Sequence, residues 1–309
     1  MDTVSPPRWA ARKATMNLKQ CDEWVQAHGD CFMDLIRIYL GIGLLVKGVF
    51  FLIYPDQLAL PTGNTALASV AQAVPFVHIV GGLLLAVGVW TRLAALTQIP
   101  VLFGAVFLVH LPQLAGMAGR EGVEFSALVL FLLVLIALRG PGRLSFSRSW
   151  ERAPALAAPA FQKWVDAHSD VFLDLIRAYL GVGLFIKGVY FMEHREQLEQ
   201  LIEQSGDLKL ALIIASHYVI PAHFAGGFLL AIGLVTRVAA LAQVPLLLGA
   251  MFCIHRPRFA TLELRQSLEF TALVLFLLVL ITAHGSGRCS VDHLQEKSGR
   301  DQLQPHPAN

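Results

Sequence analysis

Apolar positions in this chain gather into long, nearly continuous runs separated by short polar segments. The runs cover residues 35–54, 70–90, 93–110 and 123–138, then 175–192, 210–235, 238–254 and 268–283. Each is long enough as a helix to cross a hydrocarbon core of roughly 30 Å. A membrane strand would instead alternate apolar and polar residues with a period of two. The pattern predicts an all-α integral membrane protein with eight transmembrane helices.

The pattern is also written twice. Trp24 and Trp164 stand 140 positions apart, and the same spacing relates Asp34-Leu35-Ile36-Arg37 to Asp174-Leu175-Ile176-Arg177 and Lys47-Gly48-Val49 to Lys187-Gly188-Val189. After a loop five residues longer in the second copy the spacing becomes 145. It then pairs His78 with His223, Gln98 with Gln243, His110 with His255, Glu124 with Glu269 and Gly142-Arg143 with Gly287-Arg288. Such self-similarity marks a repeat architecture. The expected organisation is two tandem four-helix bundles: a cytoplasmic segment 1–20, a first unit 21–146, a linker 147–160, a second unit 161–290 and a tail 291–309. An even number of helices per unit makes the repeats parallel, related by an axis along the membrane normal.

Basic residues concentrate on one side of this topology, among them Arg8, Arg12, Lys13, Arg92, Arg139, Arg143, Arg237 and Arg288, whereas Arg120, Arg195 and Arg265 fall in the opposite loops. By the positive-inside rule both termini are expected in the cytoplasm. Segments 21–33 and 161–173, with Trp24 and Trp164, read as amphipathic helices on the inner surface. No cleavable signal peptide is evident at the N-terminus.

Composition sharpens the class. The chain is 55% hydrophobic and 15% charged, with a mean hydropathy of +0.59. A net charge of only +2, spread along inner loops, speaks against nucleic-acid binding. The chain carries no phosphate loop, dinucleotide fingerprint or nucleophile elbow. Cys21, Cys31, Cys253 and Cys289 form no C-x-x-C and none recurs in the other copy, so nothing supports a thiol relay.

Motifs run in a fixed order through both copies. Arg37-x-x-x-Gly41 and Lys47-Gly48 are followed by Gly81-Gly82-Leu83-Leu84-Leu85-Ala86-Val87-Gly88, by Thr91-Arg92-Leu93-Ala94-Ala95-Leu96, and by Gly140-Pro141-Gly142-Arg143-Leu144-Ser145. This set resembles the DoxX family. The resemblance implies a compact four-helix bundle per unit in the bacterial cytoplasmic membrane. It also implies a role as membrane subunit or accessory of a redox system, quinone-linked or tied to oxidative stress. Partners implied are the lipid bilayer and soluble or membrane redox subunits. No resident cofactor is evident, a quinone being the candidate ligand. In the second copy His284 and Ser286 replace Arg139 and Pro141, which predicts a weakened terminal motif.

Ionisable groups inside spans are costly, so each needs a partner or a purpose. At about 1.5 Å per residue, Lys47, His78, His110 and Glu124 lie in one layer roughly 20 to 27 Å above the inner boundary. Lys187, His223, His255 and Glu269 repeat it, so one cluster per bundle is expected. An imidazole can move protons, while an ammonium and a carboxylate can hold a quinone carbonyl or an anion. The bland reading is a Lys–Glu pair with two hydrogen-bonded histidines that fix register. No metal motif is recognised, and no metal is assigned.

Nearer the inner face, Asp34, Arg37 and Arg92, repeated as Asp174, Arg177 and Arg237, read as structural ion pairs. Tyr39 with Gln98, and Tyr179 with Gln243, are expected to hydrogen-bond between helices. Gly41, Gly43, Gly48, Gly81, Gly82, Gly88 and Gly104 read as positions of close helix approach. Pro100 and Pro245 should kink the third spans. Two rivals to the redox reading stay open: a small-solute transporter working between the repeats, and a non-catalytic membrane scaffold.

Overall fold

The computed structural model describes residues 29–58, 71–114, 117–147, 163–165, 167–196, 217–254, 262–295 and 298. Among the described residues helices account for all of the regular structure. In chain order these are α1 Gly29–Ile53, α2 Val74–Val87, α3 Thr91–Gly104, α4 Met117–Arg139, α5 Ser169–Glu193, α6 Gly227–Ile232, α7 Thr236–Gly249 and α8 Leu262–His284. α3 and α7 run on into π-helical turns at Ala105–His110 and Ala250–Ile254, and a third π-helical turn, Ala222–Gly226, leads into α6. Among the described residues five helices are long and apolar enough to cross a membrane: Cys31–Ile53, Thr91–Gln113, Arg120–Arg139, Val171–Glu193 and Arg265–His284. Three apolar helices are shorter, Val74–Val87, His217–Ile232 and Thr236–Phe252.

Local chemistry explains the boundaries. Past the end of α1, Pro55 opens a separate single turn, Pro55–Gln57. α2 takes Pro75 in its first turn, where a missing N–H costs nothing, and ends at Gly88, whose φ of 78° is the left-handed C-cap that glycine accepts without strain. Two residues later Trp90 opens α3 at φ 46°, and Val235 does the same before α7 at φ 50°. A β-branched residue there is strained, so the contacts around this turn must hold it. Pro100 and Pro245 lie inside α3 and α7, upstream of the π-helical turns.

α1 packs on α2 and α3 on α4; in the second half α5 packs on α6 and α7 on α8. Helices α1, α4, α5 and α8 then pack among themselves across the halves. Ile36, Leu132, Leu133, Ile176, Leu277 and Leu278 belong to one continuous buried cluster drawn from both halves. The two expected bundles therefore share a core, because the first and last helix of each unit carry apolar residues on the face that meets the other unit. Outward faces are apolar too, with Val80, Leu83, Leu93, Phe103 and Val238 exposed as lipid-facing residues should be.

Close approach of α1 and α2 depends on Gly41, Gly48 and Gly82. A Cβ at Gly48 would lie 2.7 Å from the Pro75 carbonyl oxygen, and one at Gly82 2.7 Å from the Gly41 carbonyl oxygen. Gly43 and Gly104 differ from expectation, having nothing within 4 Å of such a Cβ. The expected surface helix over 21–33 lies largely outside the described residues. Its last part is the start of α1, with Phe32 and Met33 already in the core. The linker after Ser147 and tail residues 296, 297 and 299–309 also lie outside the described residues.

Candidate functional site: cross-half ion pairs in the outer layer

Lys47 reaches from α1 to Glu269 on α8, with Nζ 2.9 Å from Oε2. Lys187 reaches from α5 to Glu124 on α4, at 3.1 Å. Each predicted lysine thus meets the glutamate of the other half. The expectation of one self-contained cluster per bundle is corrected, because α1 faces α8 and α5 faces α4 across the shared core. Beneath each pair a tyrosine stacks on a phenylalanine of the opposite half. Tyr39 lies 4.5 Å from Phe276 and Tyr179 4.6 Å from Phe131, both nearly parallel.

Aromatic rings line the cations. Lys47 Nζ is 5.6 Å from the Phe51 centroid and 5.9 Å from that of Phe125, while Lys187 Nζ is 5.7 Å from that of Phe270. A cation over a ring face is attracted by its quadrupole, which matters more where water is scarce. Two arginines complete the layer. Arg265 Nε donates to Glu269 Oε1 at 3.1 Å and its guanidinium covers Phe50 at 4.1 Å. Arg120, its counterpart, covers Tyr190 at 4.7 Å. Glu121 accepts a hydrogen bond from the Ser267 hydroxyl of the other half. A cavity of about 70 Å³ opens beside Lys187, lined by Arg120, Glu121, Glu124, Ile186, Tyr190 and Phe191.

The predicted histidines stand apart from these pairs. Buried His78 donates from Nδ1 to Gln98 Oε1 at 2.7 Å, and Gln98 Nε2 donates to the Val77 carbonyl at 2.8 Å. Phe51 touches both Lys47 and His78, its centroid 6.4 Å from the imidazole. His223 turns instead to the Val219 carbonyl at 3.0 Å, Gln243 donates to the Ala222 carbonyl, and buried Gln243 Oε1 has no hydrogen-bond partner among the described residues. The glutamines therefore serve α2 and the helix before α6, not Tyr39 and Tyr179 as expected. The imidazole of His110 lies against Gly122 at the start of α4. His255 lies outside the described residues. Among the described residues no group of three His, Cys, Asp or Glu comes together to hold a metal ion.

At the inner end, Asp34 and Arg37 form a buried pair, Nη2 to Oδ1 3.4 Å, repeated by Asp174 and Arg177 at 3.3 Å. Arg37 Nη1 donates to the Leu85 carbonyl and, at 3.2 Å, to that of Ala86, closing the C-terminus of α2 where the helix dipole is negative. Its Nη2 donates to the Leu144 carbonyl, while Asp34 Oδ2 accepts the Leu144 N–H at 2.9 Å. The second half repeats each contact through Leu230, Ala231 and Cys289. Replacement of Arg139 and Pro141 by His284 and Ser286 therefore does not weaken this motif, since it is held by backbone atoms. Arg92 donates to the Arg139 carbonyl at 3.3 Å and Arg237 to that of His284 at 3.5 Å, so both cover helix C-termini rather than joining the Asp–Arg pair.

Arg120 and Arg265 entered the sequence reading only as opposite-loop cations, and Glu121, Ser267 and Tyr190 were not singled out there. The 145-residue spacing that pairs Glu124 with Glu269 also pairs Arg120 with Arg265, and is the signal that finds these two arginines.

Apolar helices with a buried polar layer and lipid-facing exteriors define an integral membrane protein of the all-α class. The chain belongs to the DoxX family, whose family model matches residues 32–111 and again 172–256, a tandem duplication covering more than half of the chain. It is also similar to Uncharacterized membrane protein Rv3486 of Mycobacterium tuberculosis, with 31% identity over 148 residues, 43% of this chain and 91% of the relative. That relative is thus matched almost whole by less than half of this chain. No solved structure matches the chain.

Proposed function

We propose that the chain is a multi-pass protein of the bacterial cytoplasmic membrane. It crosses eight times with both termini inside and serves as a membrane subunit or accessory of a quinone-linked redox system. One observation carries the reading: cross-half Lys–Glu pairs lie in an aromatic lining, and a cavity opens beside one of them. An ammonium can donate to a quinone carbonyl, a carboxylate can accept from a hydroxyl of the reduced hydroquinone, and the rings offer stacking faces. The three shorter apolar helices complete eight crossings if the described ends extend or the bilayer thins locally.

The test is equilibrium titration of the purified protein, reconstituted in lipid, with a tail-less benzoquinone and its hydroquinone. Saturable binding that disappears in the Lys47→Met, Lys187→Met double variant supports the reading. A folded wild type that binds neither form refutes it.

One observation favours a second reading. The ion pairs join the two halves, as a gate between moving repeats would require, so small-solute transport through the shared interface is the alternative. Solute uptake into vesicles that depends on both pairs, without quinone binding, would select it.

A further inference from the structure

The two Lys–Glu sites are copies in sequence and differ in state. Beside Lys47, Arg265 grips Glu269 at 3.1 Å, so one carboxylate is held by two cations. Beside Lys187, the matching Arg120 covers the Tyr190 ring as Arg265 covers Phe50, but its Nε donates at 3.4 Å to the Leu114 carbonyl and not to Glu124. Lys187 is shared there between Glu124 at 3.1 Å and Glu121 at 3.9 Å. The position that matches Glu121 in the other half is Gln266. One side therefore has two cations and one carboxylate, already interlocked. The other has two cations and two carboxylates, and the cavity of about 70 Å³ opens on that side.

These differences constrain an occupant. Charge on the Lys187 side is already balanced, so a charged ligand would bring an uncompensated charge into a poorly hydrated layer, whereas a neutral one would not. Ionised carboxylates only accept hydrogen bonds, so the lone pairs that Ser267 and Lys187 leave open on Glu121 and Glu124 suit hydroxyl donors. Tyr190 and Phe191 supply ring faces. A space of this size takes the hydroxyl edge of a ring, with the remainder at the cavity mouth.

We infer that the Lys187 side alone takes an uncharged hydroxyl-bearing ring, the reduced hydroquinone form, and that Arg265 keeps the Lys47 side closed. This inference rests on the quinone-linked reading above and assigns it a half, a ligand form and a positioning carboxylate, Glu121.

The experiment is titration of the full-length protein in lipid nanodiscs with tetramethyl-hydroquinone and, separately, its oxidised form. One hydroquinone per chain is expected, bound more tightly than the quinone. Glu121→Gln, which gives this side the residue found at position 266, should weaken hydroquinone about tenfold, the loss expected when a hydrogen bond to a charged acceptor is removed. Gln266→Ala should leave binding within about twofold. Two equivalents per chain, an equal or greater preference for the quinone, or full binding by folded Glu121→Gln would each overturn the inference while leaving the quinone reading intact. Absence of binding by folded wild type would instead remove that reading. Should Glu121→Gln fail to fold, Tyr190→Leu tests the same wall and should also lower affinity; unchanged affinity there overturns the inference.

Discussion

Lys47 and Glu269 are separated by 222 residues in sequence and meet at 2.9 Å, joining the first helix of one half to the last helix of the other. Their side chains are 14% and 26% exposed, so the pair is partly buried in a layer that apolar rings surround. Removing Glu269 leaves Lys47 and Arg265 uncompensated, while removing all three leaves an apolar contact. Glu269→Ala should lower stability by about 2–3 kcal/mol, near the insertion cost of a lone charge in a span. Lys47→Met, Glu269→Met and Arg265→Met together should recover most of that loss. Thermal unfolding in one detergent checks both, and a triple variant as unstable as the single would refute the account.

Association of the halves should not depend on the chain that links them. The shared core and both Lys–Glu pairs cross from one half to the other, as do the Tyr39–Phe276 and Tyr179–Phe131 stacks. A protease site placed in residues 148–162 and cut after purification should leave differently tagged halves that co-purify through a wash of moderate salt. Separation of folded halves on cleavage would show that the interface is too weak to hold them.

Glycines offer an internal contrast. At Gly41 a Cβ would run into the backbone of α2, and at Gly181 into that of α6. Backbone cannot yield as a side chain can, so Gly41→Ala or Gly181→Ala should cost about 1–3 kcal/mol, as overpacking does. Gly43 and Gly183 meet nothing within 4 Å. Alanine there should be neutral or stabilise by up to about 1 kcal/mol, its helix-propensity advantage. Melting temperatures of the four variants decide this, and equal effects at Gly41 and Gly43 would contradict the packing.

How much of this was legible in the sequence follows from the range over which each interaction acts. Apolar runs gave the class, the ordered glycine, arginine and lysine motifs the family, and the 140- and 145-residue spacings the identity of the lysine and glutamate residues, because these are properties of single helices and their copies. Helix depth also placed Lys47 and Glu269 at compatible heights. Which glutamate each lysine meets depends on how α1, α4, α5 and α8 pack, and two similar copies leave that choice undetermined: Glu124 and Glu269 occupy equivalent positions in the repeat. Similar reasoning covers Gln98. Its depth suggested Tyr39 as partner, yet rotation about the helix axis turns it toward His78. Gly43 read like Gly41 for the same reason, since a small residue reveals close approach only once the neighbouring helix is placed.

Gly142 and Gly287 should be nearly as sensitive as Gly41, for a different reason. A Cβ at either would overlap the carboxyl group of Asp34 or Asp174. Those carboxylates are pinned by Arg37 and the Leu144 N–H, or by Arg177 and the Cys289 N–H, so moving them breaks the closure of the α2 or α6 C-terminus. Gly142→Ala should lower the melting temperature and raise amide exchange at residues 85–88. Unchanged exchange at those amides would mean that the Asp–Arg pair is not what closes α2.

Acid should loosen the second half before the first at one defined place. Asp292 caps α7 from outside the helix, accepting the Val235 N–H at 2.7 Å and the Thr236 N–H and hydroxyl at 3.0 Å. Burial pushes its carboxyl up, but the hydrogen bonds from Thr236 and Val235 and the charge of Arg177 outweigh that and hold it below its ordinary 3.8. A depressed folded value means that the cap contributes stability above the unfolded value and loses it as pH falls through the folded one. Ser147, 145 positions earlier, donates to the Gly88 carbonyl and has no comparable charge to lose. Hydrogen exchange, corrected for intrinsic rates, should therefore rise at residues 236–240 as pH falls below 3.8 while residues 91–95 hold. Asp292→Ala should reproduce the rise at neutral pH, at about the 1 kcal/mol that a lost N-cap costs. Parallel behaviour of the two segments across that range would show that the carboxylate does not support α7.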